Sequence, residues 1–375
     1  MVEQGRAVQL LGEVENVLSP NSIRLSNKSF SVEASALIGD KFKAYSNVTR
    51  IDFSDIIAGR MEEEALIALK TLCDSLLGNK LVDIDLSDNA LGGPGIESCR
   101  SVLSGKAIES LLVCNCGISA EAASQLADIL LDGHCPPLKK FHFYNNMSGD
   151  NGAIAVARVL SETPLMEDFR YSATRTHSVG CQALAEALGK YSSLKRLDLA
   201  DLCFGDEAAE ALASSIVKHK NIEFLNFRDS GFGEDGSASI FNAIGAAAFP
   251  LKHLDMSGND LTPEIFSKNT IEFIASLSML EYLYLDDNSL TSEGALEVAK
   301  FVPSLASLKV LSLCCCELTA SGAYAIAKAV IRLTSFQTLQ LDGNEINDRG
   351  VERITCLLVK HGKILGGTWS SRRLS

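Results

Sequence analysis

Several features that mark common classes of protein are scarce or missing in this 375-residue sequence. Proline occurs only 8 times and hydrophobic residues make up 46% of the chain, so long disordered linkers are not expected. No run of about 18 apolar residues occurs, so no membrane span is predicted. The N-terminal stretch contains acidic residues and no long apolar core, which argues against a secretory signal peptide.

An excess of positive charge is also missing. The chain has 34 Lys and Arg against 47 Asp and Glu, a formal charge of -13. This balance argues against nucleic acid or an anionic membrane as the partner and is compatible with a basic protein surface. The 11 cysteines have no small-scaffold spacing, which predicts reduced thiols in the cytosol or nucleus.

Enzyme motifs are absent from the sequence as well. There is no glycine-rich phosphate loop followed by lysine and no nucleophile elbow, and the six histidines are scattered. We therefore expect a binding surface with no metal and no cofactor of its own, rather than an active site.

The sequence does contain a repeat. The pattern Leu-x-x-Leu-x-Leu-x-x-Asn/Cys-x-Leu recurs twelve times, and successive starts are 27 to 33 residues apart. This is the long form of a leucine-rich repeat, in which a helix follows the strand. The starts are Pro20, Val48, Leu81, Ile108, Leu138, Met166, Leu194, Ile222, Leu251, Leu280, Leu308 and Phe336.

The two halves of a repeat have different periodicities. Apolar residues alternate in the segment 194–199, as a strand buried on one face requires, and recur at three and four residues in 205–216, as an amphipathic helix requires. The predicted fold class is therefore α/β, a leucine-rich-repeat solenoid with parallel strands on the concave side and helices on the convex side of a horseshoe. We assign residues 1–19 to an N-terminal helical cap, 20–362 to the repeat domain and 363–375 to a loose tail.

Two neighbouring positions follow the strand in each repeat. Counting each start as zero, offset 8 is expected to carry a small polar side chain that bonds to the backbone of the turn. We call these the ladder residues. Because Cys116 and Cys316 are ladder residues, the pair Cys114 and Cys116 and the three consecutive cysteines at 314–316 are not expected to form a metal site. The ladder residues are Asn89, Cys116, Asn146, Thr174, Asn259, Asn288, Cys316 and Asn344.

Offset 7, here called the rim, is expected to point away from the ladder. Asn115 lies next to the ladder residue Cys116, and Asn145 lies next to Asn146. On this reasoning the fold does not require an asparagine at either rim position, so both are candidates for function. The alternative stays open that asparagine suits any turn and simply faces water.

Two arginines have two interpretations each. Arg60 ends an insertion in the longest repeat and precedes Glu62, Glu63 and Glu64. It is either tethered to these glutamates, the simpler arrangement, or projected toward a carboxylate or phosphate. Arg170 is predicted on the concave face among acidic residues, where a structural ion pair and a partner contact are equally compatible with the pattern.

Several segments resemble the Ran GTPase-activating protein family, most closely its plant-type form. The resemblance covers about residues 20–362 and is sharpest in repeats two to six. The segments are Ile51-Asp-Phe-Ser-Asp-Ile-Ile-Ala-Gly-Arg60, Ile84-Asp-Leu-Ser-Asp-Asn89-Ala-Leu-Gly, Asn115-Cys-Gly-Ile, Tyr144-Asn-Asn-Met-Ser-Gly-Asp-Asn-Gly152 and Glu167-Asp-Phe-Arg170-Tyr-Ser-Ala-Thr-Arg175.

The resemblance implies a ribonuclease-inhibitor-like horseshoe that stimulates GTP hydrolysis by the small GTPase Ran. In this family a rim asparagine, here Asn115, orients the catalytic glutamine of the GTPase, and the arginine that matches Arg60 has a supporting or contact role rather than that of an inserted finger. Asp88, Asn89, Asn145, Asn146 and Arg170 are the further candidate partner-binding residues. GTP and magnesium would belong to the partner.

The resemblance also implies partners and a location. Ran in its GTP form is the expected partner, with a Ran-binding protein as a further candidate and a monomer as the expected state. The sequence contains no Trp-Pro-Pro motif and no long acidic stretch after the repeats. We therefore expect a cytoplasmic protein, with a perinuclear location as the alternative. The competing function is a non-catalytic scaffold or inhibitor that binds a protein in its concave face.

Overall fold

The computed structural model describes residues 2–7, 21–266 and 274–367. It divides into two compact units, Met1–Thr176 and His177–Ser375, which are described separately. Most of the predicted cap at residues 1–19 lies outside the described residues. Of its described part, Val2 forms an isolated parallel bridge with Phe30 of the first repeat.

The first unit is a parallel sheet whose strands follow chain order, with helices between them. Each strand pairs with the next in the same register, so every repeat adds one strand at the edge. The strands are β1 (Ser22–Arg24), β2 (Arg50–Asp52), β3 (Asp83–Asp85), β4 (Ser110–Leu112), β5 (Lys140–Tyr144) and β6 (Asp168–Ser172). The helices are α1 (Val32–Phe42), α2 (Glu62–Asp74), α3 (Gly92–Ser98), α4 (Arg100–Leu103), α5 (Ala120–Leu130) and α6 (Gly149–Ser161).

The second unit repeats this organisation. Its strands are β7 (Arg196–Asp198), β8 (Phe224–Asn226), β9 (His253–Asp255), β10 (Tyr282–Tyr284), β11 (Val310–Ser312), β12 (Thr338–Gln340) and β13 (Ile364–Gly366). Its helices are α7 (Ser178–Leu188), α8 (Gly205–Ile216), α9 (Gly233–Ala247), α10 (Thr291–Phe301), α11 (Ala320–Val330) and α12 (Asp348–Lys360), with short 3₁₀ turns at Pro263–Ile265 and Val302–Ser304.

One face of each strand is buried and the other is partly exposed. The central residues Ile51, Ile84 and Leu111 are at most 3% exposed, whereas their neighbours along each strand are partly open to solvent or exposed. Since side chains alternate along a strand, the central residues pack on the helix side and their neighbours form an exposed strand face. The predicted leucine-rich-repeat solenoid of strand–helix units is confirmed in both units.

The repeat array extends past the predicted boundary at residue 362. Ile364–Gly366, which the sequence analysis placed in the loose tail, form β13 and pair with β12. Without this strand, β12 would present unpaired backbone amides and carbonyls at its edge. Gly362 follows α12 with a φ of 68°, a left-handed conformation that lets the chain turn back toward the sheet. The last residues, 368–375, lie outside the described residues.

Buried polar side chains bond to the turns as the ladder pattern predicts. Asn89 is 1% exposed, and its amide donates to the Phe53 carbonyl of the preceding repeat at 2.8 Å and accepts from the Ile56 amide at 2.9 Å. Cysteine does the same in two repeats, since the Cys116 and Cys316 thiols donate to carbonyls of the preceding repeat. Burial raises the pKa of both thiols to about 12, which keeps them protonated as donors.

A second polar ladder lies at the ends of the strands and was not found from the sequence. The carboxylates of Asp85 and Asp255 each accept the backbone amide two residues further on, at 2.9 Å. Asn226 makes the same bond with its side-chain oxygen. These residues at offset 4 therefore stabilise the transition from strand to turn, and the aspartates also place negative charge on the exposed face.

His219 has a structural role that its sequence context did not indicate. Its ring is fully buried and joins the sixth repeat to the seventh: Nε2–H donates to the Leu188 carbonyl at 3.0 Å, and Nδ1 accepts from the Leu194 amide at 3.2 Å. Burial lowers the pKa of His219 to about 4, so the ring stays neutral in the folded protein. Among the described residues, no helix is long and apolar enough to cross a membrane.

The His219 pKa predicts a pH dependence of stability. Between its ordinary pKa of 6.5 and the folded value of about 4, the unfolded chain binds a proton at this ring and the folded chain does not. The contribution of His219 to the free energy of unfolding is therefore complete above pH 6.5 and declines as the pH falls toward 4, by up to about 3 kcal/mol at 1.36 kcal/mol per pKa unit. Urea unfolding at pH 7, 5.5 and 4.5 measures it.

His219→Gln is the matched variant, because an amide can donate and accept at the same place without titrating. The difference in unfolding free energy between the native chain and this variant is expected to shrink as the pH falls. A difference that stays constant from pH 7 to 4.5 would contradict the assignment.

Candidate functional site

The rim position has the same backbone conformation in every repeat. All twelve offset-7 residues have φ between 51° and 73°, in the left-handed region. Glycine, asparagine and aspartate tolerate this region best. They are Asn27, Asp55, Asp88, Asn115, Asn145, Ala173, Asp201, Asp229, Gly258, Asp287, Cys315 and Gly343.

This finding corrects the expectation that the fold has no use for asparagine at the rim. The left-handed turn favours Asn115 and Asn145 for conformational reasons. Ala173 and Cys315 adopt the same φ, however, so the turn does not demand an asparagine. The fold therefore explains a preference for residue type at the rim, but not the contacts that particular rim side chains make.

Three consecutive rim side chains form a hydrogen-bonded row on the surface. Asn115 Nδ2 donates to Asp88 Oδ1 at 3.0 Å, and Asn145 Nδ2 donates to Asn115 Oδ1 at 2.9 Å. All three residues are exposed. Their backbones are held by the next repeat, since the amide of Asn115 donates to the Tyr144 carbonyl at 2.9 Å. The structure thus brings together Asp88, Asn115 and Asn145, which the sequence analysis had singled out.

The row fixes which way the Asn115 amide faces. A carboxylate only accepts hydrogen bonds, so the NH₂ group of Asn115 must face Asp88. The side-chain oxygen of Asn115 then accepts the hydrogen bond from the Asn145 amide. An amide carries two N–H donors and two acceptor lone pairs, and these two bonds use one of each. The remaining N–H and lone pair lie on an exposed, oriented group that matches the complementary edge of another amide.

Arg170 lies on the exposed strand face beside the rim row. Its guanidinium carbon is 3.7 Å from the centroid of the Tyr144 ring, and its Nε donates to Ser172 Oγ at 3.2 Å. Tyr144 directly precedes the rim residue Asn145, and partial burial raises the pKa of its hydroxyl. On the adjoining part of the face, His142 Nε2 and Asp168 Oδ1 are 3.0 Å apart. The Arg170 guanidinium thus lies over the face of the Tyr144 ring.

Asn89 and Asn146 are ladder residues and not surface groups. They are 1% and 2% exposed, and the Asn146 oxygen accepts the backbone amides of Cys116 and Ile118. A partner cannot contact these side chains while the turn is intact. The structure therefore corrects their assignment as direct partner contacts and leaves them the role of fixing the turns that carry Asn115 and Asn145.

Arg60 is tethered and does not project. Its side chain is 6% exposed, pairs with Glu64 at 2.9 Å and with Glu3 at 2.8 Å, and donates to the hydroxyl and the carbonyl of Ser29. Of the two arrangements considered from the sequence, the tethered one is observed. One of its partners, Glu3, was not foreseen and joins the N-terminal segment to the second repeat.

No group of three or more His, Cys, Asp or Glu among the described residues is arranged to hold a metal ion. The candidate site consists of the hydrogen-bonded rim row of Asp88, Asn115 and Asn145, flanked by the Arg170–Tyr144 stack.

Comparison with known proteins addresses the fold first. The Leucine Rich repeat family matches residues 79–98, 192–213, 248–267, 276–299, 304–327 and 332–354. A chain of the yeast Rad7–Elc1 crystal structure superimposes with a TM-score of 0.54 at 15% identity, covering 88% of this chain and 81% of that one. The repeat matches, the parallel strands and the helices between them show that the chain has a leucine-rich-repeat fold.

Sequence similarity to proteins with a named function is more specific than the similarity in fold. The chain is 30% identical over 178 residues to Ran GTPase-activating protein of Drosophila melanogaster, covering 44% of this chain and 30% of that protein. It is 40% identical over 86 residues to RAN GTPase-activating protein 1 of Arabidopsis thaliana, covering 23% and 16%. The predicted resemblance to Ran GTPase-activating proteins is therefore confirmed. The matched segments span less than a third of these relatives.

The left-handed rim predicts how two substitutions at Asn115 differ. Asn115→Ala and Asn115→Gly remove the same side-chain hydrogen bonds, but only alanine retains a Cβ that opposes a positive φ. Alanine is therefore expected to be less stable than glycine by about 1 kcal/mol. Thermal unfolding of both variants measures the difference.

Ala173→Gly is the control, since it makes the reverse change at the same offset and φ. It is expected to leave stability unchanged or raise it. Equal unfolding midpoints for Asn115→Ala and Asn115→Gly would show that the turn does not discriminate between these residues.

The Arg60 tether predicts that removing this side chain loosens the N-terminal segment. In Arg60→Ala, the backbone bonds between Val2 and Ser29 and between Ser31 and Val2 lose the ion pair that supports them. Their amides are expected to exchange with solvent about tenfold faster, because local opening becomes easier. Hydrogen exchange followed by mass spectrometry measures this.

Arg100→Ala is the matched control, because among the ion pairs described Arg100 pairs only with the exposed Glu97, three residues before it. Exposed pairs of this kind contribute little to stability. If Arg60→Ala leaves exchange at Val2 and Ser31 unchanged, the tether is not what fixes the segment.

Proposed function

We propose that this protein is a GTPase activator for Ran, and that Asn115 orients the catalytic glutamine of the GTPase. The similarity to Ran GTPase-activating proteins supports the partner. The observation that carries the site is the exposed Asn115 amide, held between Asp88 and Asn145 by bonds of 3.0 and 2.9 Å.

The proposed chemistry needs only positioning from this chain. Hydrolysis of GTP requires a water aligned with the γ-phosphate, and a glutamine of the GTPase aligns it. The outward N–H and lone pair of Asn115 form a complementary edge for that glutamine amide. Because Asn115 is already fixed by its neighbours and its backbone, little freedom remains to be lost when the partner binds.

Under this proposal the other residues act around Asn115. Asp88 and Asn145 set its orientation and contact the GTPase beside it. Arg170, stacked on Tyr144, contacts the same partner from the strand face. Arg60 is a supporting residue, since its guanidinium is occupied by Glu3, Glu64 and Ser29.

The partner state and cellular context are part of the proposal. We infer that the protein acts as a monomer on Ran in its GTP form, with a Ran-binding protein as a further candidate in the complex. It would use no cofactor of its own, because GTP and magnesium come with Ran. Nucleic acid is not expected to bind a chain of charge -13. A cytoplasmic location, with a perinuclear pool as the alternative, follows from the same proposal.

Single-turnover hydrolysis of GTP on Ran, with and without the full chain, tests the proposal. Stimulation is expected at micromolar concentration, and Asn115→Gly is expected to lower the stimulated rate by about 10²–10³, the usual effect of removing one positioned catalytic hydrogen-bonding group. Glycine is the preferred substitution because it removes the amide and keeps the left-handed turn.

Asn27→Gly is the matched control, since Asn27 is an exposed rim asparagine with a φ of 58° in the first repeat. It is expected to stimulate like the native chain. Absence of any stimulation would overturn the activator proposal, whereas native-like stimulation by Asn115→Gly would overturn only the site.

The competing scaffold function is favoured by one observation, the Arg170–Tyr144 stack on the exposed strand face. A scaffold that binds Ran there predicts weaker binding for Arg170→Ala, no stimulation of hydrolysis and no effect of Asn115→Gly. Measuring Ran binding in parallel with hydrolysis therefore separates the two functions.

A further inference from the structure

The exposed strand face of the second unit carries a row of aromatic rings, here called the aromatic row: Phe224, His253, Tyr282 and Tyr284. Phe224 and His253 are stacked, with centroids 4.2 Å apart and planes 12° apart. His253 lies 6.0 Å from Tyr282 and 5.3 Å from Tyr284. The rings come from neighbouring strands in register, and all four are partly exposed.

The aromatic row already binds one guanidinium from its own chain. The Arg196 guanidinium carbon is 3.4 Å from the centroid of Phe224, at one end of the row. Such stacking is favourable because the face of an aromatic ring is electronegative and a guanidinium is planar and weakly hydrated. Burial, with a contribution from Arg196, lowers the pKa of His253 to about 4, so the row adds no positive charge of its own at neutral pH.

Carboxylates lie beside the other end of the row. Asp255 is paired in register with Tyr284 across the sheet, and Asp286 follows Tyr284 by two residues. Both are partly exposed. Asp255 and Asp286 accept hydrogen bonds from nearby backbone amides. Burial raises the pKa of the Asp255 carboxyl, whereas its hydrogen bonds with Ser257 and the nearby Arg228 guanidinium favour the charged form.

The basic residues that border this face are already engaged with acids. Lys252 and Lys309 pair with Glu223 and Glu281 at 2.7 and 2.6 Å. Arg228 bridges the rim residues Asp229 and Asp287. The aromatic row is thus a partly exposed strip with two carboxylates at its open end, where four aspartates, including Asp255 and Asp286, surround the single Arg228 guanidinium.

We propose that the aromatic row, together with Asp255 and Asp286, is a docking surface for an arginine-rich segment of a protein partner. Guanidinium groups would stack on His253, Tyr282 and Tyr284 as Arg196 stacks on Phe224, and would pair with the two carboxylates. The same carboxylates repel a phosphate backbone, which disfavours nucleic acid on this surface. The inference concerns the second unit and is independent of the proposed role of Asn115 in the first.

A fluorescein-labelled peptide of four Arg-Gly repeats tests the proposal by fluorescence anisotropy against the full chain. Two substitutions introduce residues that other repeats of the chain already have at the same position, offset 4, so the fold is expected to tolerate them. Tyr284→Leu copies Leu112 of the fourth repeat, and Asp255→Asn copies Asn226 of the eighth. Tyr284→Leu is expected to weaken binding roughly three- to tenfold, the range of a lost cation–π contact.

Asp255→Asn is expected to weaken binding about two- to fivefold at low salt and less at high salt, because exposed charges are screened. It retains the side-chain oxygen that accepts the Ser257 amide, so it provides a folded variant even if Tyr284→Leu unfolds. Asp235→Asn, which removes an exposed carboxylate from helix α9, is the matched control and should bind like the native chain.

A peptide with lysine in place of arginine separates stacking from charge. It is expected to bind more weakly and to be less affected by Tyr284→Leu, since an ammonium group cannot stack as a plane. Three results would each overturn the proposal: no measurable binding of the arginine peptide at low salt, native-like binding by both Tyr284→Leu and Asp255→Asn, or an equal loss in Asp235→Asn, which would indicate unspecific attraction to an acidic protein.

Discussion

Hydrogen bonding of the ladder asparagines and cysteines to the backbone of the preceding repeat is the interaction on which the structure depends. A strand that turns into a helix exposes amides and carbonyls that no regular ladder satisfies, and burying them unpaired would be costly. Asn89, Asn146 and Asn259 each satisfy several such groups at once. Cys116 and Cys316 do so with a thiol that burial keeps protonated. The turns are rigid because their undersides are fully bonded.

Rigid turns reduce the conformational freedom that the rim side chains would lose on binding a partner. An asparagine on a mobile loop would lose conformational freedom on meeting a partner, which would weaken the contact. Asn115 instead sits on a turn anchored by a ladder residue below it and by Asp88 and Asn145 at its sides. The exposed Asn115 and the buried Cys116 are adjacent in sequence, so under the proposed function recognition and stability are divided between two neighbouring residues.

Much of this organisation follows from the sequence. Periodicity located the strands and helices, and offset counting separated Asn115 from Asn146. Asparagine, aspartate and glycine recur at offset 7, which was a usable sign of the left-handed turn and was overlooked. The Glu3–Arg60 pair could not be foreseen, because its partners are 57 residues apart and no periodicity links them. Nor could the bridging role of His219, since one buried histidine carries no pattern. β13 was missed because only its pairing with β12 identifies it.

The uniform left-handed rim has a consequence for how such a protein can change. Within each unit, parallel strands lie roughly 4.8 Å apart, so rim side chains emerge at that interval from turns of the same shape. The rim is then a row of equivalent positions, each best suited to glycine, asparagine or aspartate. Moving a functional side chain from one rim position to the next shifts it along the surface by one strand spacing and keeps its direction. Substitutions at the rim can therefore move a partner-binding side chain along the surface while the buried ladder residues stay the same.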